Sequence, residues 1–140
     1  YGDEAVEVIA TDPAEDTLRI FPVGKLNYQE ALERYSVYRN VDAVLASWMS
    51  PQEDWTSAFR NPRYQIQEYL LISEDEPGVS GTEDTWDEAR VYEEGYQQTT
   101  LVEPTREQIS HTDHDNADRY TDSGYYRSRT ISFERMHVAA

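Results

Sequence analysis

The apolar positions are most regular between Asn27 and Asn61. There they recur at intervals of three and four residues, which places them on one face of a helix. Asn27 and Glu30 also have the spacing of a capping box, in which each side chain bonds the other's backbone N–H at a helix N-terminus. The pattern therefore predicts a helix that begins after Asn27 and has its apolar face at Tyr28, Ala31, Leu32, Tyr35, Tyr38, Val41, Leu45, Trp48 and Met49.

A second helix is predicted directly after the first. The segment Ser50-Pro51-Gln52-Glu53 has a capping Ser, a Pro at the first helical position and a Glu at the third, which is a common start signal. The helix would end before Asn61-Pro62, because the residue before a proline avoids helical geometry. Together the two helices would provide the apolar surface on which the strands pack, the second through Trp55, Ala58 and Phe59.

Alternation with a period of two residues predicts strands on both sides of this helical region. Before it, residues 5–10 and 17–23 would form a hairpin. After it, the predicted strands span residues 64–73, 85–102 and 125–138.

Two of these strands carry ambiguous signals. The run 69–72 in the first is continuously apolar, which is typical of a strand buried on both faces or of one with a bulge near Gln67. In the second, Thr85 and Glu88 have the spacing of a capping box and Gly95 could end a helix. The clean alternation that follows favours a strand there.

The grouping of helices between strands indicates an α+β fold. We expect a mainly antiparallel, curved sheet packed against two or three helices, with an N-terminal hairpin, central helices and long C-terminal strands. At 140 residues the chain has the length of a single domain, residues 1–140,. A last strand at the edge of the sheet would be open to pairing with a neighbouring molecule.

The net charge of the chain excludes some classes of ligand. The chain has 28 acidic and 12 basic residues, a net charge of −16, whereas a magnitude of about 2–8 suffices to keep a small domain soluble. Phosphate groups are bound by clustered Lys and Arg, so we expect neither direct binding of nucleic acid nor an anionic membrane surface as a partner. No apolar run is long enough to insert across a membrane. The absence of cysteine excludes disulfides and thiolate metal sites,.

Three interpretations fit this charge. An acidic surface is tolerated where salt screens its self-repulsion, so the chain would suit the cytoplasm of a salt-accumulating organism; Lys25 is its sole lysine. Alternatively, an acidic fold can act as a DNA mimic that occupies the nucleic-acid groove of a basic protein. The third interpretation is an ordinary acidic partner of one basic protein. We prefer the adaptation to high salt.

The strongest candidate for reactive chemistry is the loop His111–Asp118. Its His111, Asp113, His114, Asp115 and Asp118 are side chains that bind divalent transition metals, as a metal-dependent hydrolase would need. The spacing matches no known metal loop, however, and the composition is that of a solvated polar loop. We therefore predict no catalytic residue, metal or cofactor here.

Two other residues with nucleophilic or basic side chains are weaker candidates. Ser80 lacks the strand–turn–helix context of a nucleophile. His137, on the last predicted strand, is expected at the sheet surface or partly buried rather than in a catalytic role.

Four tyrosines in polar surroundings suggest an interaction surface or an exposed sheet face stiffened by rings: Tyr92, Tyr96, Tyr125 and Tyr126. Without a catalytic motif, the sequence favours a non-catalytic subunit of a larger assembly, bound to a protein partner or to further copies of itself. A viral particle would be one setting for it. No secretory signal is visible, but a chain that opens on Tyr1 is compatible with a trimmed precursor, which leaves secretion open.

Overall fold

The computed structural model describes residues 7–11, 24–37, 41–73, 80–102 and 129–137. These residues form four short helices and a four-stranded sheet, which confirms the predicted α+β class. In chain order the elements are α1 (Tyr28–Ala31, continued by a π-helical turn over Leu32–Ser36), β1 (Ala43–Ser47), α2 (Thr56–Phe59), β2 (Glu68–Ser73), α3 (Glu83–Trp86), α4 (Glu88–Glu93), β3 (Tyr96–Val102) and β4 (Arg129–Arg135).

The sheet has the strand order β1-β2-β4-β3 and is mixed. The pairs β2–β4 and β4–β3 are antiparallel, as expected, while β1 and β2 run parallel. The expectation that the last strand lies at an edge is wrong, because β4 is central and β1 and β3 form the edges of the described sheet. In β4, three consecutive residues are all buried: Ile131, Ser132 and Phe133. This is typical of a strand that has neighbours on both sides and both faces covered.

One face of the sheet contributes to the hydrophobic core. The register places Val44, Tyr69 and Phe133 in one row. The rings of Tyr69 and Phe133 are stacked with their centroids 4.8 Å apart, and Tyr69 also meets Phe59 and Tyr96 in tilted contacts. The buried residues of this cluster are Leu32, Ala46, Phe59, Ile66, Tyr69, Leu71, Val91, Tyr96, Ile131 and Phe133.

The start of the first predicted helix is confirmed. The Asn27 side chain accepts from the Glu30 backbone N–H at 2.9 Å, and the Glu30 carboxylate accepts from the Asn27 N–H at 2.9 Å. The helix continues through the π-helical turn to Ser36, but farther along the chain the prediction is wrong, because residues 43–47 form β1. Val44 turns toward the core while Leu45 is 63% exposed. Short apolar runs fit both periodicities, and pairing with β2 decides this one.

The second predicted helix is shorter than expected. No helix begins at Ser50, because Gln52 has φ +68°, outside helical geometry; the Ser50 carbonyl accepts instead from the backbone N–H groups of Glu53 and Gly81. The helix begins only at Thr56, and its buried face contains Phe59, as predicted. The neighbouring Trp55 stacks on Tyr28 of α1 with ring centroids 5.3 Å apart.

The strand predicted from residue 85 is wrong over its first half, where α3 and α4 form instead. Thr82 precedes α3, and Asp87 caps α4 by accepting from the backbone N–H groups of Ala89 and Arg90. The alternative signal at Gly95 was the correct one, because Gly95 follows α4 with φ +91°, a conformation that favours glycine.

The remaining strand predictions are partly confirmed. The register of β2 is continuous with both neighbours, and its buried residues alternate, so neither the bulge near Gln67 nor equal burial on both faces is found. A bulge lies instead in β3, between Gln98 and Thr100. Residues 7–10 form no strand, and most of the predicted N-terminal hairpin lies outside the described residues. Among those described, no helix combines the length and apolar character needed to cross a membrane.

Candidate functional site

The loop His111–Asp118 lies outside the described residues, as do Tyr125 and Tyr126. Metal binding at that loop therefore stays a hypothesis. Within the described ranges, no three His, Asp or Glu side chains come together in a group that could hold a metal ion.

The other residues considered from the sequence have clear positions. Ser80 is fully buried and its Oγ donates to the backbone oxygen of Met49 at 3.0 Å, so the hydroxyl joins two segments. Tyr96 is also buried, and its hydroxyl donates to the Ile66 carbonyl at 2.6 Å; the expectation that it lies in a polar surface is wrong. Tyr92 is 63% exposed. His137 follows β4 and is exposed.

A buried polar cluster, which the sequence did not reveal, surrounds the start of α2. We call Asp54, Thr56, Ser57 and Thr85 the Asp54 cluster. The Asp54 carboxylate accepts from the Thr56 backbone N–H at 3.0 Å, from the Thr56 hydroxyl at 2.6 Å and from the Thr85 hydroxyl at 3.1 Å, as well as from the Ser57 hydroxyl. The cluster thus ties α2 to α3.

Arg60, at the end of α2, adjoins the Asp54 cluster and is only 3% exposed. Its Nε donates to the Glu94 carboxylate, and its Nη1 donates to the Thr56 hydroxyl at 2.7 Å and to the Tyr69 hydroxyl at 3.2 Å. Its Nη2 is buried and has no hydrogen-bond partner among the described residues. The guanidinium therefore connects α2 with β2 and with the end of α4.

The protonation states in this region suit a structural role. Burial raises the pKa of Asp54, but hydrogen bonds from the cluster outweigh it, so the pKa lies below its ordinary value. Burial likewise raises the pKa of Glu94, and its bond with Arg60 outweighs that effect and lowers it. Burial raises the pKa of Tyr69 to about 12. A general acid or base works best with a pKa near the operating pH, and these groups lie far from neutrality.

A cleft of about 340 Å³ opens between α4 and β3. We call it the β3 cleft. Gln98 occupies the same row of the sheet as Phe133 and Tyr69, yet it is exposed and lines the cleft. The cleft is lined by Glu88, Val91, Tyr92, Tyr96, Gln97, Gln98, Thr99 and Phe133.

The floor and rim of the β3 cleft differ in character. Val91, Tyr96 and Phe133 are nearly fully buried and give it an apolar floor, while Tyr92 and Glu88 are exposed above them.

The helices beside the β3 cleft are acidic. Arg90 is paired with Asp84 at 2.5 Å and with Glu94 at 3.2 Å. Among the described residues, Glu88 and Glu93 make no ion pair, so this side of the molecule keeps an excess of negative charge. The acidic residues of the two helices and the turn after them are Glu83, Asp84, Asp87, Glu88, Glu93 and Glu94.

No protein-family model, curated protein or solved structure matches the chain.

Proposed function

We propose that the protein is a non-catalytic acidic subunit that joins a larger assembly through the edges of its sheet. The observation that carries this proposal is the position of three of the exposed apolar side chains in the described ranges. Leu45, on edge strand β1, is 63% exposed, and Trp48 just after it is 37% exposed. Tyr92, beside edge strand β3, is 63% exposed. Single exposed apolar residues are common, but open strand edges are also where protein chains pair.

The use of the polar groups supports the same proposal. Asp54, Arg60 and Glu94, which are gathered around α2, are occupied with bonds that hold the fold together. Their pKa values keep Asp54 and Glu94 ionised at neutral pH. The described surface is rich in carboxylates and also presents a few apolar side chains, and such a surface is suited to binding.

The acidic surface supports an adaptation to high salt as part of this function. Every acidic residue in the described ranges is exposed except Asp54 and Glu68, which are half-buried. At about 1 M salt the Debye length is about 3 Å, so repulsion among such surface charges is largely screened. The cytoplasm of a salt-accumulating organism or a virion from such an environment would be a fitting location.

The test combines assembly and stability. Light scattering after size-exclusion chromatography, with cross-linking at low and molar KCl, should detect an oligomer or a complex whose cross-links lie near β1 or β3. Leu45→Asn should weaken assembly through β1, whereas Gln29→Ala, an exposed polar change on α1, should not. A protein that is monomeric at every salt concentration and cross-links to no partner in native extract would refute the proposal.

The salt adaptation has its own measurement. Unfolding by urea in a series of KCl concentrations should give a free energy of unfolding that rises into the molar range. Full stability in dilute buffer would refute the adaptation and make the acidic surface a binding feature instead.

A DNA-mimic inhibitor is the alternative, and the exposed acids of α3 and α4 favour it. It predicts that a DNA duplex competes with this protein for a basic partner. Assembly that is indifferent to added duplex DNA would exclude it and leave the assembly subunit standing.

A further inference from the structure

We propose that the β3 edge and the β3 cleft together bind an extended, basic segment of a partner protein, which adds to the sheet beside β3. This proposal rests on the assembly function proposed above and specifies its partner. Strand addition uses backbone hydrogen bonds for affinity and side-chain pockets for selection. Each of these requirements has a counterpart at β3.

The backbone requirement is met by the open edge. β3 pairs on one side with β4, and within the described ranges no strand pairs with its other side. The bulge between Gln98 and Thr100 interrupts the regular register. Bulges at sheet edges discourage indiscriminate pairing, so a partner strand needs side-chain contacts in addition to backbone bonds.

The β3 cleft supplies those contacts. Successive side chains of a strand point to opposite faces of its sheet, so every second side chain of an added strand would face the cleft. There it would meet the exposed ring of Tyr92 and reach the apolar floor at Val91 and Phe133. Aromatic or branched aliphatic side chains fit such a floor best.

The charges indicate what the other side chains of the partner should be. Glu88 lines the cleft on one face of the sheet. On β4, Glu134 pairs in register with Gln97 and is exposed. Of the nearby cations, Arg90 is paired with two carboxylates. Arg135 donates to the neutral Gln65 side chain at 3.0 Å and keeps its charge, but the carboxylates of α4 and Glu134 outnumber it. The edge therefore favours a segment in which Lys or Arg alternates with apolar residues.

A second copy of this chain fits the edge less well. Pairing β3 with β3 would bring the acidic α4 of both copies, with Glu88, to the same edge, and like charges placed close together are destabilising. A basic partner removes that repulsion, so the occupant we assign is a basic extended segment of another protein.

The probe is a short synthetic peptide in which Lys alternates with Val or Tyr, labelled for fluorescence polarisation in dilute buffer. A peptide of the same sequence with alternate backbone nitrogens methylated serves as its control, because it keeps charge and side chains but cannot form the strand hydrogen bonds. The unmodified peptide should bind and the methylated one should lose most of its affinity. Equal binding of both peptides would overturn the proposal.

Protein variants locate the site. Tyr92→Ala should weaken binding about tenfold, as truncation of an aromatic anchor does, and Glu88→Gln about two- to fivefold. Val37→Ala and Asp42→Asn are matched controls for these two changes outside the cleft, and both should bind as the wild type does. Leu45→Ala tests the β1 edge. All five positions are exposed, and an unchanged melting temperature shows that each variant is folded.

The outcomes separate this proposal from the assembly function. Hydrogen exchange should slow in the amides of β3 when the peptide is added. Loss of binding in Leu45→Ala, with Tyr92→Ala unaffected, would place the partner at β1 and overturn this inference while leaving an assembly role intact. Absence of binding by every peptide also overturns it, whereas the assembly function fails only if the cross-linking and light-scattering experiment fails.

Discussion

The Asp54 cluster allows a sharp test of how much a half-buried carboxylate contributes to this fold. In Asp54→Ala, the Thr56 backbone N–H and the hydroxyls of Thr56, Ser57 and Thr85 lose their acceptor. Ser57 is half-buried and can turn to water, but Thr56 and Thr85 are 0% exposed. Both hydroxyls still accept a hydrogen bond, from Arg60 Nη1 and from the Thr82 backbone N–H, but their O–H groups must find another acceptor inside the protein or donate to none.

The magnitude follows from these contacts. A hydrogen bond to a charged group contributes about 1.5–3 kcal/mol, and a buried polar group left unpaired costs about 1–3 kcal/mol. Because the bonds share one carboxylate, their contributions do not add, and we expect a total loss of about 3–4 kcal/mol. For a domain of this size such a loss lowers the melting temperature by about 10 °C.

Asp87→Ala is the matched control. Asp87 caps α4 by accepting from the backbone N–H groups of Ala89 at 3.0 Å and Arg90 at 3.2 Å, but it is exposed. Its loss should cost about 1 kcal/mol, and it removes the same negative charge from the chain. Urea and thermal unfolding of both variants give the comparison. Equal losses in the two variants would show that burial and the bond to Thr85 add nothing, and would refute the reasoning.

Three further predictions use the same measurements. Gly95→Ala should cost about 1 kcal/mol, because φ is +91° but the added methyl has open space,. Gly81→Ala should cost about 1–3 kcal/mol more, because its methyl would lie 2.6 Å from the Thr85 hydroxyl,. Equal costs would contradict the close contact between Gly81 and Thr85. The pKa of Asp54 is lowered in the folded state, so its ionised form stabilises the fold above about pH 4, and that contribution disappears as the pH falls further,. The difference in unfolding free energy between wild type and Asp54→Asn should therefore be constant near neutral pH and shrink in acid. A difference that grows in acid would mean that the pKa shift has the opposite sign. Arg60→Ala removes the partner of a carboxylate and of two hydroxyls. Because Glu94 is exposed and keeps its bond to Arg90, the cost should be about 2–3 kcal/mol, and a loss below about 1 kcal/mol would show that the buried guanidinium does not hold α2 in place.

The parts of the fold that could be predicted from the sequence depend on neighbouring residues. The capping box of Asn27 and Glu30 joins residues three positions apart, and it formed as expected. Alternation between Tyr96 and Val102 predicted β3. Both signals act within one turn or one strand, so no distant contact was needed to interpret them.

The elements that were predicted wrongly depend on contacts between residues that are far apart in the chain. β1 fits a helical spacing and a strand spacing equally well, and what decides is its pairing with β2, where Ala43 lies beside Glu68. The strand order of the sheet could not be predicted for the same reason, since β4 lies between β2 and β3, and both precede it in the chain.

The candidate site shows the same division. Asp54 followed by Thr56 has the local spacing of a side chain that caps its own turn, and this signal was available in the sequence. Its bond to Thr85, however, spans 31 positions. A cleft beside an edge strand depends on where the helical layer ends, which no local pattern encodes. Among the predicted interface tyrosines, Tyr92 is exposed and Tyr96 is buried.

The central position of β4 has a consequence for how the molecule is put together. Until β4 joins, β3 has no neighbour in the described sheet, and β2 has only β1. The sheet is therefore completed late during synthesis. It is completed by contacts between segments that are far apart in the chain, and such contacts slow folding. A chain that is cut before β4 would have a gap in its sheet between β2 and β3. A separate peptide of residues 129–137 could bind in this gap as the missing strand and complete the sheet.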